Sequence, residues 1–424
     1  MAWLPAERRP PAGRRASVRR FAWVAGAAVA AGLAVLTPAG SNLEEAFGLD
    51  LLFRLRGPTP PPGGVAIVAI DQAAAAKLGL PSPPRVWPRA VHARLIDTLG
   101  KSGAVTVVMD VLFSEKGRVE DDGDLTAALR SAGNVVLLEG LTRTISGTAD
   151  RPEAIVDETI EPIDDFAGAA AATAPFPLPK RPARVTRSWT FWSGRENPTL
   201  ASVALQLSAR DIVRDWAALL AAEPGLPGDP EAWSAQRMQN SMVDLHRRLR
   251  SDAATADRLR QRIGAFPAAE ARRLAALLSL YVGDDSRLLD LRGPAGTFTT
   301  VNYASLISGT SEERAAAAAD LAGKVVFVGA DERAGTQQVD AHDTVFSGEN
   351  GIQLTGVEIL ATAYADLAEG TTLDATTIDA LCFIGAIGLA LGLAGATGNA
   401  AVVLTVAVLL PVAVIGAALS AFAW

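Results

Sequence analysis

GGVAIVAIDQ (63–72), PRVWPRAVHARLIDTLGKSGA (84–104) and VTVVMDVLFSE (105–115) are the pieces of one stretch that decides the fold. Val65–Ile70 is an unbroken apolar run rich in β-branched residues, and it ends at Asp71. Val105–Leu112 is a second such run, interrupted by Asp110. Strands without alternation are buried on both faces, which is the pattern of a parallel sheet. Between them Val91, Leu95, Ile96 and Leu99 fall on one helical face. Pro88 is expected just inside that helix, where its missing N–H costs nothing, and Gly100 and Gly103 are expected to stop it. The stretch is a β-α-β unit, and the rest of the chain extends its sheet or ties it to a membrane.

The chain has 424 residues, enough for about two to three domains. It is 49% hydrophobic yet 20% charged, and the apolar residues gather at the two ends. A net charge of −7 argues against a nucleic-acid binder. The single cysteine, Cys382, sits in an apolar run, so no disulfide framework or thiol metal site is expected.

The ends carry the membrane signal. Residues 1–20 hold Arg8, Arg9, Arg14, Arg15, Arg19 and Arg20 against one glutamate, and the apolar run Phe21–Leu36 follows. Basic residues before an apolar segment hold that end in the cytoplasm. The reading is a basic cytoplasmic tail (1–20) and an uncleaved transmembrane helix (21–40), with a signal peptide cleaved near Thr37-Pro38-Ala39 as the alternative. At the other end, 377–397 and 400–424 are apolar runs near the ~20 residues that cross a bilayer. Gly388 and Gly392 form a G-x-x-x-G face, a weakly specific helix-packing signal that predicts a homo-oligomer through the spans.

Residues 41–376 are left as the extracytoplasmic domain. Leu49–Leu55 is a short amphipathic piece, and GPTPPPGG (57–64) is a stiff stop. Asp122-Gly123-Asp124 is read as the opening of a helix over Leu125–Ser131, its acids serving the helix terminus and not calcium. Asn134–Glu139 reads as a third strand, 142–182 as a surface excursion, and Arg184–Trp192 as a half-exposed strand. About 199–285 is a helical insertion, with one helix over Thr199–Leu220, a break at Pro267, and a basic run, HRRLR (246–250), read as a solvated face. Sheet returns near Phe298–Tyr303 and Lys324–Val328, with helices at Glu312–Leu321 and Gly356–Ala368.

Chemistry motifs fail on inspection. Gly100-Lys101-Ser102 lacks the preceding glycine of a phosphate loop, since Leu95 stands there. No G-x-G-x-x-G follows the first strand, and neither H-E-x-x-H nor G-x-S-x-G occurs. His92 reads as a packed, structural histidine. Asp71 and Asp110 sit at strand ends, where open α/β sheets place ligands. Asp71, Asp110, Phe113 and Ser114 are therefore the candidate ligand residues, against a structural alternative in which the acids bond loop N–H groups. No catalytic residue, cofactor or metal is expected.

Seven blocks carry a family resemblance: LLFRLRGP (51–58), VAIVAID (65–71), WPRAVHARLIDTLGKSGA (87–104), VVMDVLFSE (107–115), GPAGTFTTVNYASLI (293–307), GKVVFVGA (323–330) and GVEILATAYADL (356–367). Their order over about residues 45–370 resembles the second type of CHASE domain. That family is the extracellular sensory module of bacterial cyclases, histidine kinases and serine/threonine kinases. The resemblance implies a plasma-membrane, multi-pass receptor with its main domain outside the cytoplasm. The insertion over 199–285 is longer than the family pattern. The family also carries three spans after the sensor and then a cytoplasmic effector, whereas two apolar runs are present here. A membrane signalling partner or an effector beyond this sequence is the expected output.

The expected fold is α/β, a mostly parallel sheet flanked by helices with a helical insertion, plus N-terminal and C-terminal transmembrane helices. The expected function is a membrane-anchored sensor for an unknown small-molecule or envelope ligand, not an enzyme. The rivals are an envelope docking platform and an extracytoplasmic enzyme with its site near Asp71 and Asp110.

Overall fold

The computed structural model describes residues 49–81, 86–148, 151–179, 184–192, 196–235, 237–332, 340–348 and 351–370. Side chains are described for these residues except 143–148 and 151–157. The expected spans at 21–40, 377–397 and 400–424, the G-x-x-x-G face and the basic tail lie outside the described residues. Among the described residues no helix is long and apolar enough to cross a membrane. The chain divides into two units, 1–57 with 373–424, and 58–372. Of the first, helix α1 (Leu49–Arg56) is described. It carries an i,i+4 pair between Arg54 and Asp50 at 2.9 Å and leaves Leu51 and Leu55 exposed.

The second unit begins with β1 (Val65–Ile70), α2 (Gln72–Leu78), α3 (Arg89–Ser102), β2 (Thr106–Asp110), α4 (Val119–Ala132) and the long strand β3 (Val135–Thr148). β4 (Arg151–Ile160), a turn of helix α5 (Asp164–Ala167) and β5 (Ala172–Pro175) follow. Three short strands, β6 (Arg187–Trp189), β7 (Phe191–Trp192) and β8 (Asn197–Pro198), lead into the helical insertion. That insertion is α6 (Leu200–Ser208), α7 (Val213–Ala221), α8 (Met238–Ser251), α9 (Ala253–Ile263) and α10 (Ala268–Tyr281). The chain returns through β9 (Ser286–Leu288), β10 (Thr300–Asn302), α11 (Tyr303–Ser308), α12 (Ser311–Leu321) and β11 (Val325–Ala330). It closes with β12 (Ala341–His342), β13 (Leu354–Thr355) and α13 (Gly356–Glu369).

Six strands form the parallel sheet, in the order β10-β1-β11-β2-β3-β5. β11 comes late in the chain yet lies between β1 and β2, with Ile67 opposite Phe327 and Phe327 opposite Val108. Past Gly140, β3 leaves the sheet and continues as an antiparallel hairpin with β4. Every residue of β1 is buried, as the lack of alternation predicts. Ala66, Val68, Val107, Met109, Val326 and Val328 face the core made with α3, α4, α11 and α12. The intervening residues face the other way, and Phe327 meets Tyr364 of α13 with ring centroids 5.4 Å apart.

Helix α3 buries Val91, Leu95, Ile96 and Leu99, each contributing about 1.5–3 kcal/mol by burial. His92 on the same helix is fully buried, its Nδ1 3.0 Å from the Tyr303 hydroxyl and its ring stacked on Trp87. Pro88 is the residue just before the helix, and Gly100 lies inside it. Gly103 alone is the left-handed cap, at φ 81°. Helix α13 is buried from Gly356 through Leu367 and packs against β11, β1, α6 and α10.

Several expectations are corrected. The acids at 122–124 lie inside α4, which starts at Val119, and Asp122 accepts from the Gly117 N–H at 2.9 Å. The surface excursion at 142–182 contains the β3–β4 hairpin and the sheet strand β5, whose small residues give little hydrophobic signal. The helix over Thr199–Leu220 breaks after Ser208 into a 3-10 turn at Arg210–Ile212 and resumes as α7 at Val213. In the HRRLR run, His246 is buried, stacked on Phe191 at 3.8 Å and paired with Asp285 at 3.1 Å. Its arginines at 247, 248 and 250 pair with Glu196, Asp244 and Asp285.

Candidate functional site

The carboxyl end of β2 and the middle of β3, where β3 leaves the parallel sheet, open into a cavity of about 680 Å³. Asp110, the last residue of β2, is on the same strand face as Val108 and lies in register with Gly329 of β11. Gly329 is required there. A Cβ at that position would lie 3.1 Å from the Asp110 Cβ and 2.9 Å from the Val357 Cβ. Asp110 thus sits where β2, β11 and the first turn of α13 converge.

Asp340 and His342 face Asp110 across the cavity. Asp340 holds a left-handed backbone at φ 59°, uncommon for a residue with a Cβ, and its oxygen lies 3.0 Å from His342 Nε2. Its carbonyl accepts the Gly356 N–H at 3.0 Å. A side chain at 356 would run into the Asp340 carboxylate, so glycine is needed at the head of α13. Glu139 enters from β3, buried, and accepts from the Thr173 hydroxyl of β5 at 2.6 Å.

The remaining wall is apolar and aromatic. Leu138, Phe176, Leu178, Val185, Trp189 and Trp192 supply most of it. The segment bearing the tryptophans is fixed by its backbone: Val185 N–H donates to the Asp343 carbonyl at 2.8 Å, and the Thr199 hydroxyl donates to the Trp189 carbonyl at 2.7 Å. Burial pushes the Asp110 carboxyl up to about 7. The Asp340 charge adds to the rise, and His342 opposes it. A carboxyl of this kind is a hydrogen-bond donor below neutrality and a charged acceptor above it. Among the described residues no group of three His, Cys, Asp or Glu side chains is placed to hold a metal ion.

Of the four candidate residues, Asp110 lines this cavity. Asp71 caps α2, accepting from the Ala74 N–H at 2.6 Å, and takes the Asn302 side-chain amide at 3.0 and 3.2 Å. Phe113 is fully buried against His92 and Phe166. Ser114 is half-buried beyond the strand end and does not border the cavity. Glu139, Trp189, Trp192, Asp340 and His342 escaped the sequence reading. Two tryptophans in an alternating segment were the available signal; Asp340 and His342 lie 230 or more residues from Asp110 and left none.

Against known families, the CHASE2 domain matches residues 24–396. The chain belongs to the CHASE2 domain family. No curated protein and no solved structure matches it. CHASE2 domains are extracellular sensory modules of membrane proteins, so the cavity at Asp110 is part of a sensory domain. The match runs from the expected first span into the expected second. The long insertion α6–α10 lies within the matched CHASE2 range, packed through α6 and α10 against α13.

Proposed function

We propose that this CHASE2 chain is a membrane-anchored extracytoplasmic sensor whose stimulus enters the cavity at Asp110 and whose response leaves through α13. The observation that carries the reading is the placement of α13. Its first residue, Gly356, lines the cavity, and it ends at Glu369, capped by Gly370, ahead in sequence of the apolar run at 377–397. A change at the Asp340–Gly356 contact acts directly on the head of this helix. A stimulus shifts such a system only by binding its two states unequally.

The output belongs to a membrane partner or to an effector outside this sequence. The spans place residues 41–376 outside the cytoplasm and associate as a homo-oligomer through Gly388 and Gly392, in contact with membrane lipid. Hydrogen–deuterium exchange on the full chain in neutral detergent tests the route. Thr142→Trp puts a large ring at the exposed rim of the cavity. It is expected to change exchange across 356–370 while leaving the core strands β1 and β2 unaltered. Unchanged exchange in α13 would remove the proposed route. Retained response of a reporter to a partner's binding at the exposed face, with the cavity filled, would favour the docking-platform reading.

A further inference from the structure

We infer that the ligand of this cavity is an organic cation, an amine or quaternary ammonium compound with an apolar body; this rests on the reading of the cavity as the sensory site. Three carboxylates, Asp110, Glu139 and Asp340, reach it, and among the described residues no lysine or arginine lines it. Glu139 is occupied by Thr173, and Asp340 pairs with His342. No donor among the described residues bonds the Asp110 carboxylate, whose neighbours are another carboxylate and an imidazole. Asp110 and Asp340 repel when both are charged, and a cation between them turns that repulsion into attraction.

The other half of the site suits the other half of such a ligand. Trp189, Trp192 and Phe176 line it, and the faces of such rings attract ammonium groups through their quadrupoles. Leu138, Leu178 and Val185 offer apolar surface to methyl or alkyl groups. An anion would meet three carboxylates. A sugar shares the taste for tryptophan and carboxylate, but it needs a ring of paired polar groups where this wall is aliphatic.

Binding is then an exchange of a cation for a proton. Asp110 keeps its proton up to about pH 7, so affinity for a cation rises as pH passes through that value and levels off above it. The charged and titratable groups facing Asp110 are Asp340 and His342 from the β12 segment and Glu139 from β3. Asp331, at the end of β11, is buried and takes the Thr355 hydroxyl at 3.2 Å.

The test is isothermal titration calorimetry on the full chain in a neutral polyether detergent, with micelle blanks. The probes are choline, its uncharged carbon isostere 3,3-dimethylbutan-1-ol, benzenesulfonate and maltose. Choline is expected to bind at least tenfold tighter than each of the others at pH 8. Its affinity should rise severalfold from pH 6 to pH 8. Asp110→Asn, nearly isosteric, should cost tenfold or more at pH 8 and flatten the pH profile. Asp340→Asn keeps a residue tolerant of the left-handed backbone and should also weaken choline, whereas His342→Gln should retain the pH rise. Equal or tighter binding of the isostere, the anion or maltose would overturn the inference, as would absence of choline binding or indifference to Asp110→Asn. The exchange response of α13 to Thr142→Trp judges the sensory reading separately, so a surviving α13 response with no cation preference sinks the ligand class alone.

Discussion

At the scale of single residues, the two aspartates at the carboxyl ends of β1 and β2 have different duties. Asp71 spends both oxygens on α2 and Asn302, so it acts on stability. Asp71→Ala removes a helix cap, which costs about 1 kcal/mol, and more where the Asn302 amide loses its acceptor. Urea unfolding should register that loss while choline affinity stays within twofold of the parent. Asp110 works the other way. Its folded proton affinity is raised, so its contribution to stability is fully present below the ordinary carboxylate range. That contribution is lost as pH rises from there to about 7, and it is constant above. Asp110→Asn should therefore be less sensitive to pH over that window, and more stable than the parent at pH 8. A parent and variant with parallel stability profiles between pH 4 and pH 8 would contradict the burial of this carboxyl.

At the scale of elements, α13 is the most constrained piece of the domain. It is buried along twelve consecutive residues and still carries Glu358 and Asp366. Each has a partner: Glu358 accepts from the Gly296 N–H at 2.6 Å, and Asp366 accepts from the Asp290 N–H at 2.8 Å and from Arg292 at 3.1 Å. Arg292 also reaches Asp290 and Glu369, so it neutralises three carboxylates around the helix C-terminus. Arg292→Met should destabilise the domain by about 3–5 kcal/mol, because it leaves buried carboxylates without their counter-charge. Gly329→Ala places a methyl between β11, Asp110 and Val357, and overpacking of this sort costs about 1–3 kcal/mol. Both are read by thermal or urea unfolding. For Gly329→Ala, an added change in α13 exchange is expected from the displaced Val357.

At the scale of the whole molecule, the expected arrangement places the domain outside the cytoplasm. Alkaline phosphatase fused near residue 150 should be active and green fluorescent protein there dark, since six arginines precede the first apolar run. The reverse pattern would contradict an extracytoplasmic sensor. Gly388→Ile together with Gly392→Ile should reduce cross-linking in membranes if the spans pack through their small faces. Unchanged cross-linking would move any self-association to another surface.

The sequence by itself determined the β-α-β unit, the burial of both sheet faces and the family. Each of these rests on local information: a run without alternation, a helical spacing, and blocks in a fixed order. It also located α13 to within a residue, as Gly356–Ala368 against the observed Gly356–Glu369. What it did not determine follows from long-range contact. β11 inserts between β1 and β2 after more than 200 intervening residues, and that insertion decides which strand ends become neighbours. Asp71 and Asp110 look alike in sequence, each closing an apolar strand. Only the packed structure gives one a helix to cap and sets the other opposite Asp340, with two tryptophans from a separate segment completing the wall. Periodicity reports the face of an element; the partners across a cavity are chosen by how the elements pack.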